Sequence, residues 1–248
     1  MTAVPAFDAL LRDGHRRVLA SGDGVTMFAE SGGFGVRGHR QPVWKVVLPV
    51  GGQVETGVHG AGPVATAGVI VPPHLPHTCA ATSSYVALFI DPWLLRPGAG
   101  VVPLGEAEVR RMLAALGRPS APDLGAARAE VAAFVGAGRV PDPRVVHALG
   151  QLTRPGPITA IAADVGLSAP RLRALVRESV GTPLVRLRQW ARLRAAVAAL
   201  PGTSVATAAA GAGFADQAHL ARTARDLIGR TPVSLASHLA TCPSGRQP

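Results

Sequence analysis

Three histidines stand where they could do chemistry: His39, and His74 and His77 in the segment GVIVPPHLPHT. Converging imidazoles can ligate a transition metal, and a catalytic site of that type adds ligands and keeps one position open. A thiol is the second candidate, Cys79 in HTCAAT. Methyl-acceptor chemistry would need an exposed, activated thiolate with basic or metal neighbours, and nothing near Cys79 resembles an acceptor motif. Cys79 and Cys242 are too few for a disulfide framework. The third set is cationic. Arg171, Arg173 and Arg177, and later Arg222 and Arg225, recur at helical spacing. An arginine fork can pair bidentately with guanine or grip phosphate.

The charge is unevenly placed. Of the 248 residues, 1–140 hold 12 basic and 10 acidic side chains, whereas 141–248 hold 13 and 5. That asymmetry implies an anionic partner for the C-terminal part alone. The cations are nearly all arginine, with Lys45 the only lysine. The opening MTAVPAFDALLRDGHRR lacks the apolar stretch of a secretory signal. The uncharged run 195–215 is interrupted by Pro201-Gly202 and is rich in hydroxyls and small side chains, poor material for a membrane span. A cytoplasmic protein with no membrane partner is expected.

From Val25 to Asp91 the runs WKVVLPV, ATAGVIV and SYVALFI are bounded by Gly, Pro and Ser, the spacing of a barrel or sandwich. Helical periodicity takes over from Leu104, in LGEAEVRRMLAAL and LGAARAEVAAFVGAG. The Pro-rich VPDPR at 140–144 marks a domain boundary, after which everything reads as helix. The class is α+β: a β domain over 1–103, a helical connector over 104–140, an all-α domain over 141–240 and a disordered tail over 241–248.

The all-α part writes one skeleton twice, as GLSAPRLRALVRESVGTP and GFADQAHLARTARDLIGRTP. In the first copy Ile158–Val165 is a helix, Gly166 turns, and Ser168 caps a second helix with Leu172, Leu175 and Val176 inward. In the second, Val205–Ala212 precedes Gly213-Phe214, and Asp216 caps a helix carrying Leu220, Ala224 and Leu227. A small residue at each helix crossing, Ala162 or Ala209, completes two helix-turn-helix units. Between them Leu184–Leu200 forms a linker helix of roughly 26 Å at 1.5 Å per residue, suited to holding two reading helices about one DNA turn apart. The outward residues of the first reading helix are Pro170, Arg171, Arg173, Ala174 and Arg177. Those of the second are Gln217, Ala218, His219, Ala221, Arg222 and Arg225. Arg188, on the linker helix, is expected to matter less to DNA and to show no base preference.

Residues 144–240 resemble the DNA-binding domain of AraC/XylS-family transcription regulators, most closely in GFADQAHLARTARDLIGRTP. Ala224 departs from a position that is commonly Phe in that family. The segment around His39 and His77 is similar to the degenerate cupin barrel often fused to this domain. Cupin enzymes hold a metal with an H-x-H pair, a Glu and a third His. Here the pair reads His39-Arg40-Gln41, and Lys45 and Val46 stand where the Glu is expected. The resemblance therefore implies a sequence-specific regulator, no enzyme, no cofactor and no metal site. Double-stranded DNA is its main partner. A small-molecule effector would meet His39, Trp44, His74 and His77, with Phe89 and Trp93 as further aromatics near a pocket. A homodimer, and RNA polymerase for an activator, complete the implied partners. A cupin-type metal enzyme with a DNA-binding tether is the alternative.

Overall fold

The computed structural model describes residues 17–58, 60–98, 100–236 and 239–241. The opening segment up to Arg16, Cys242 and the tail beyond it lie outside the described residues. Strand formation starts earlier than Val25. β1 (Arg17–Gly22) and β2 (Val25–Glu30) make a hairpin over Asp23-Gly24, whose φ angles are +53° and +72°. Two consecutive positive φ values are what a right-twisted two-residue hairpin requires, and Asp-Gly is a favoured pair for it.

The barrel continues through β3 (Phe34–His39), β4 (Trp44–Pro49), β5 (Val54–Val58), β6 (Val64–Thr66), β7 (Gly68–Val71), β8 (His77–Ala81), β9 (Tyr85–Ile90) and β10 (Val102–Leu104). The apolar run ATAGVIV is two strands, with β6 and β7 in different sheets. One sheet has the order β10-β7-β4-β9-β2-β1-β13, the last strand being Leu239–Thr241. The other is β3-β8-β5-β6. β13 runs parallel to β1, so Thr241, read as the first residue of a tail, is paired with Leu19. A two-residue pair, β11 (Gly117–Arg118) and β12 (Ala121–Pro122), links the connector helices α1 (Glu106–Leu116) and α2 (Leu124–Val135).

Period-2 alternation divides the large sheet between two cores. Val25, Met27, Trp44, Val46, Leu48, Leu88 and Ile90 pack outward under Val109, Met112, Leu113, Leu116 and Val131 of α1 and α2. Leu19, Phe28, Val47, Val69, Val71, Tyr85 and Ala87 face inward, opposite Val36, Val54, Cys79 and Ala81 of the smaller sheet.

Beyond the boundary come α3 (Pro143–Gly150), α4 (Ile158–Asp164), α5 (Ala169–Val180), α6 (Leu184–Ala199), α7 (Val205–Gly211), α8 (Gln217–Ile228) and α9 (Pro232–Ala236). Ser168 caps α5 by accepting from the Arg171 N–H, and Asp216 caps α8 by accepting from the His219 N–H. Both helices end on a left-handed glycine, Gly181 and Gly229, as the repeated sequence anticipates. The two units are packed differently. Val145, Ile161, Ala162, Leu172, Val176, Leu184 and Leu187 form a core of their own around α4 and α5. Around α7 and α8, Trp190, Leu193, Val197, Ala209, Phe214, Leu220, Ala224 and Leu227 belong to one continuous cluster with the barrel interior.

Candidate nucleic-acid interface and interdomain cavity

The expected reading residues of α5, Pro170, Arg171, Arg173, Ala174 and Arg177, are all exposed. On α8, Gln217, Ala218, Arg222 and Arg225 are exposed, while His219 and Ala221 are half-buried. His219 folds back on its own turn: its ring meets Phe214 edge-on at 5.2 Å, and its Nδ1 accepts from the Ala215 N–H at 3.5 Å. Arg225 lines a basic cleft that also takes Arg17 and Arg37 of the barrel, because the C-terminal turn of α8 sits on β3. The two reading faces are therefore not equivalent: α5 is open along its length, and α8 is flanked by the barrel at its far end.

Arg188 is a structural residue. It is 9% exposed, and its Nη2 donates to the carbonyls of Arg154 (3.1 Å) and Gly156, tying α6 to the loop before α4. Arg188→Ala would leave those acceptors without their donor and should cost about 1–3 kcal/mol of stability. A lowered melting temperature, with the same fractional loss on specific and random DNA, is the expected result. An unchanged melting temperature would contradict it.

The barrel and the second unit are held together by polar contacts of distinct kinds. Glu30, buried on β2, accepts from Arg17 Nε at 2.6 Å, from the Tyr85 hydroxyl at 2.7 Å and from Arg230 Nη2 at 3.1 Å. Burial alone would raise this carboxyl. The hydrogen bond and charge of Arg230, with Tyr85 and Arg17, overcome that and hold it below the ordinary carboxylate range. Arg186 of α6 pairs with Asp226 of α8 at 2.7 Å, and the Arg40 N–H donates to the Asp226 carbonyl at 3.2 Å. Gly229 is in close approach as well as left-handed: a Cβ there would lie 2.9 Å from the Arg37 carbonyl.

Between the two parts lies an apolar cavity of about 70 Å³. Phe28, Phe34, Tyr85 and Phe89 close it from the barrel, and Trp190, Leu193, Val197, Ile228 and Leu235 from the helical side. Phe89 and Trp190 face one another with ring centroids 5.1 Å apart. Lys45 is on the wall, inward from β4.

The residues expected to meet an effector are placed elsewhere. Trp44 points to the opposite face of its strand from Lys45 and is buried in the outer core under the connector helices. Trp93 packs against the first helix-turn-helix unit. His74, at φ +64°, joins barrel to helices, with Nε2 3.0 Å from the Thr182 hydroxyl. His39 and His77 are buried with ring centroids 4.3 Å apart, one layer behind the cavity wall. Each donates from Nδ1 to a carbonyl, of Arg37 at 2.8 Å and of Leu75 at 3.0 Å, which leaves both Nε2 atoms as acceptors. Lys45 Nζ lies 3.3 and 3.4 Å from them. The Lys45 side chain thus ends at the point where two imidazoles converge. Gln41, at the lost second histidine, is fully buried with neither amide atom hydrogen-bonded. Among the described residues no group of three or more His, Cys, Asp and Glu could hold a metal ion.

Sequence reasoning passed over Lys45, Glu30 and Arg230 as site residues. Lys45 had a signal: a single lysine alternating inward within WKVVLPV. Glu30 and Arg230 lie 200 residues apart and carried none.

The family model for a helix-turn-helix domain matches residues 144–237. Residues 144–237 are thus a helix-turn-helix domain, in keeping with the AraC-family resemblance of their repeated skeleton. No curated protein matches the chain. Apo ToxT from Vibrio cholerae strain SCE256, carrying one substitution, superposes with a TM-score of 0.55 at 9% identity, over 89% of this chain and 100% of that one. Unsaturated fatty acid bound wild-type ToxT from the same strain gives 0.51 at 11% identity, over 88% and 95%. ToxT from Vibrio cholerae O395 bound to (E)-4-(8-methylnaphthalen-1-yl)but-3-enoic acid gives 0.52 at 10%, over 87% and 97%. The helix-turn-helix domain and the barrel before it thus share the two-part fold of ToxT. Among the described residues no helix is long and apolar enough to cross a membrane.

Proposed function

We propose that this AraC-type regulator reads DNA with α5 and α8, and that an apolar effector seated in the interdomain cavity sets how the two units are presented. One observation carries the reading: the cavity wall is shared between barrel aromatics and α6, α8 and α9. A ligand there contacts both parts at once, so its affinity depends on their arrangement, which is what a switch requires. Ligands of the neighbouring fold, an unsaturated fatty acid and a naphthalenyl butenoic acid on ToxT, belong to the same apolar class. Pairing of two chains through the connector helices, whose Phe134 is 40% exposed, and contact with RNA polymerase by an activating form belong to the same proposal.

The test is binding of the full chain to a selected DNA site across a salt series, with and without an unsaturated fatty acid or decanol. Affinity should fall steeply with salt, as phosphate neutralisation demands, and either apolar ligand should shift it. Salt-independent binding, or none, would remove the DNA reading. Arg173→Ala, on the open helix, should cost about 1–3 kcal/mol on the best site and relax preference at one or two base pairs. Equal losses on specific and random DNA would place Arg173 on phosphate. Stoichiometric metal in the purified chain, with turnover, would favour the metal-enzyme alternative.

A further inference from the structure

The cavity wall holds three cations. Arg230 is paired with Glu30, and Arg194 lies 4.0 Å from Asp91. Lys45 alone among them has no carboxylate partner among the described residues, although its side chain is 4% exposed. What it has instead is two acceptors. The backbone carbonyls of Arg37 and Leu75 fix His39 and His77 with their Nδ1 atoms protonated, so each bare Nε2 takes one N–H from the Lys45 nitrogen. A neutral amine has two N–H groups, and both are used. Its lone pair is then left over. An ammonium would carry a third N–H with no hydrogen-bond acceptor among the described residues, and a buried charge without a counter-charge is costly. Burial pushes the Lys45 amine below its ordinary value, against a smaller opposing influence of Cys79, and Arg230 adds to the lowering. A desolvated amine of this kind is a nucleophile toward carbonyl carbon.

We propose that Lys45 is a covalent carbonyl-capture site, which takes the aldehyde head of an apolar molecule whose tail fills the interdomain cavity. This rests on the effector reading above for the place of the tail and adds the chemistry of the head. The amine lone pair forms a C–N bond to the aldehyde carbon, and one N–H proton passes to the carbonyl oxygen, giving a carbinolamine. The C–O bond then breaks, and the hydroxyl leaves with the second N–H proton as water. The imine R–CH=N–Lys45 remains, with no oxidant or reductant consumed. His39 and His77 are positioning residues: their Nε2 atoms accept from the amine and hold it at the cavity wall. Capture replaces a buried amine by a neutral imine, so no new charge has to be desolvated.

Because Lys45 is the only lysine, the test is clean. The full chain is incubated at pH 7 with decanal and cyanoborohydride, and the reduced adduct is located by peptide mapping. N-acetyl-lysine amide and the chain's own α-amino group serve as references. Expected is one decyl group on Lys45, formed at least ten-fold faster than on the model amine and slowed by excess decanol. Lys45→Arg should abolish that adduct while retaining the melting transition, and His39→Asn should slow its formation with Lys45 still present. Should Lys45→Arg fail to fold, the rate ratio on the unaltered chain still decides. An adduct on the α-amino group alone, or a Lys45 rate no greater than the model amine's, would overturn the proposal. Decanol separates the two readings. A DNA-binding shift by decanol without a Lys45 adduct sinks carbonyl capture and leaves the apolar-effector reading. An adduct without any shift in DNA binding does the reverse.

Discussion

Replacing Arg230 with alanine should destabilise the full chain by about 3 kcal/mol, the cost of taking a paired guanidinium from a buried carboxylate that keeps only Arg17 and Tyr85. Glu30 has a side-chain exposure of 7% and Arg230 of 17%, so little water is available to take over. The melting temperature should fall on the order of 10 °C for a chain of this size. Glu30→Gln combined with Arg230→Met should recover part of the loss, because it removes the desolvation penalty of both charges with their attraction, while Arg17 keeps an amide oxygen in place of its carboxylate. A single Arg230→Ala variant that melts with the unaltered protein would show that the cluster does not hold barrel and helices together. The pH dependence follows from the same carboxyl. Its folded value is depressed, so its contribution is complete above the ordinary carboxylate range and is lost as pH falls through the folded value.

A second large effect belongs to the histidine pair and sets in at milder acidity. Burial first, then the repulsion a protonated Lys45 would exert, pushes His77 down to about 4; burial, the same repulsion and that of a protonated His77 push His39 down to about 2. An unfolded histidine titrates near 6.5, so below that pH the unfolded chain binds protons that the folded chain refuses. The stability contribution is fully present above about 6.5 and is lost as pH falls toward the folded values. Two such groups give a slope of up to about 2.7 kcal/mol per pH unit, or roughly 3–5 kcal/mol between pH 6.5 and 4.5. Denaturant midpoints across that window should fall steeply, and His39→Asn with His77→Asn should flatten the curve. A flat profile in the unaltered protein would mean that both rings are solvated.

The helical part was legible because its signals are local. Ser168, Asp216, Gly181 and Gly229 cap their helices where the repeated skeleton puts them, and Leu172, Val176, Leu220 and Leu227 are all buried. The barrel was legible as strands but less so as a site. The apolar run of β4 conceals an alternation that sends Trp44 and Lys45 to opposite faces, and only the sheet pairing shows which face has a cavity. Asp23-Gly24 carried the hairpin that extends the barrel upstream to Arg17. The burial of Arg188 was not legible, because helical periodicity gives a residue's direction and not what packs over it. The loop carbonyls of Arg154 and Gly156 close over that side of α6.

α6 is shared between two cores: Leu184 and Leu187 belong to the first helix-turn-helix unit, Trp190, Leu193 and Val197 to the barrel. A DNA-binding segment is commonly treated as a cassette that recombination can join to any sensor. This one is not self-contained at its second unit. Cut free or grafted elsewhere, it would carry an indole and a row of aliphatic side chains shaped for this barrel's aromatics. An exchange of sensors would have to bring a matching apolar lid with it, or new side chains at Trp190, Leu193 and Val197. Change in the barrel's inner face and change in the DNA-binding half are therefore physically tied.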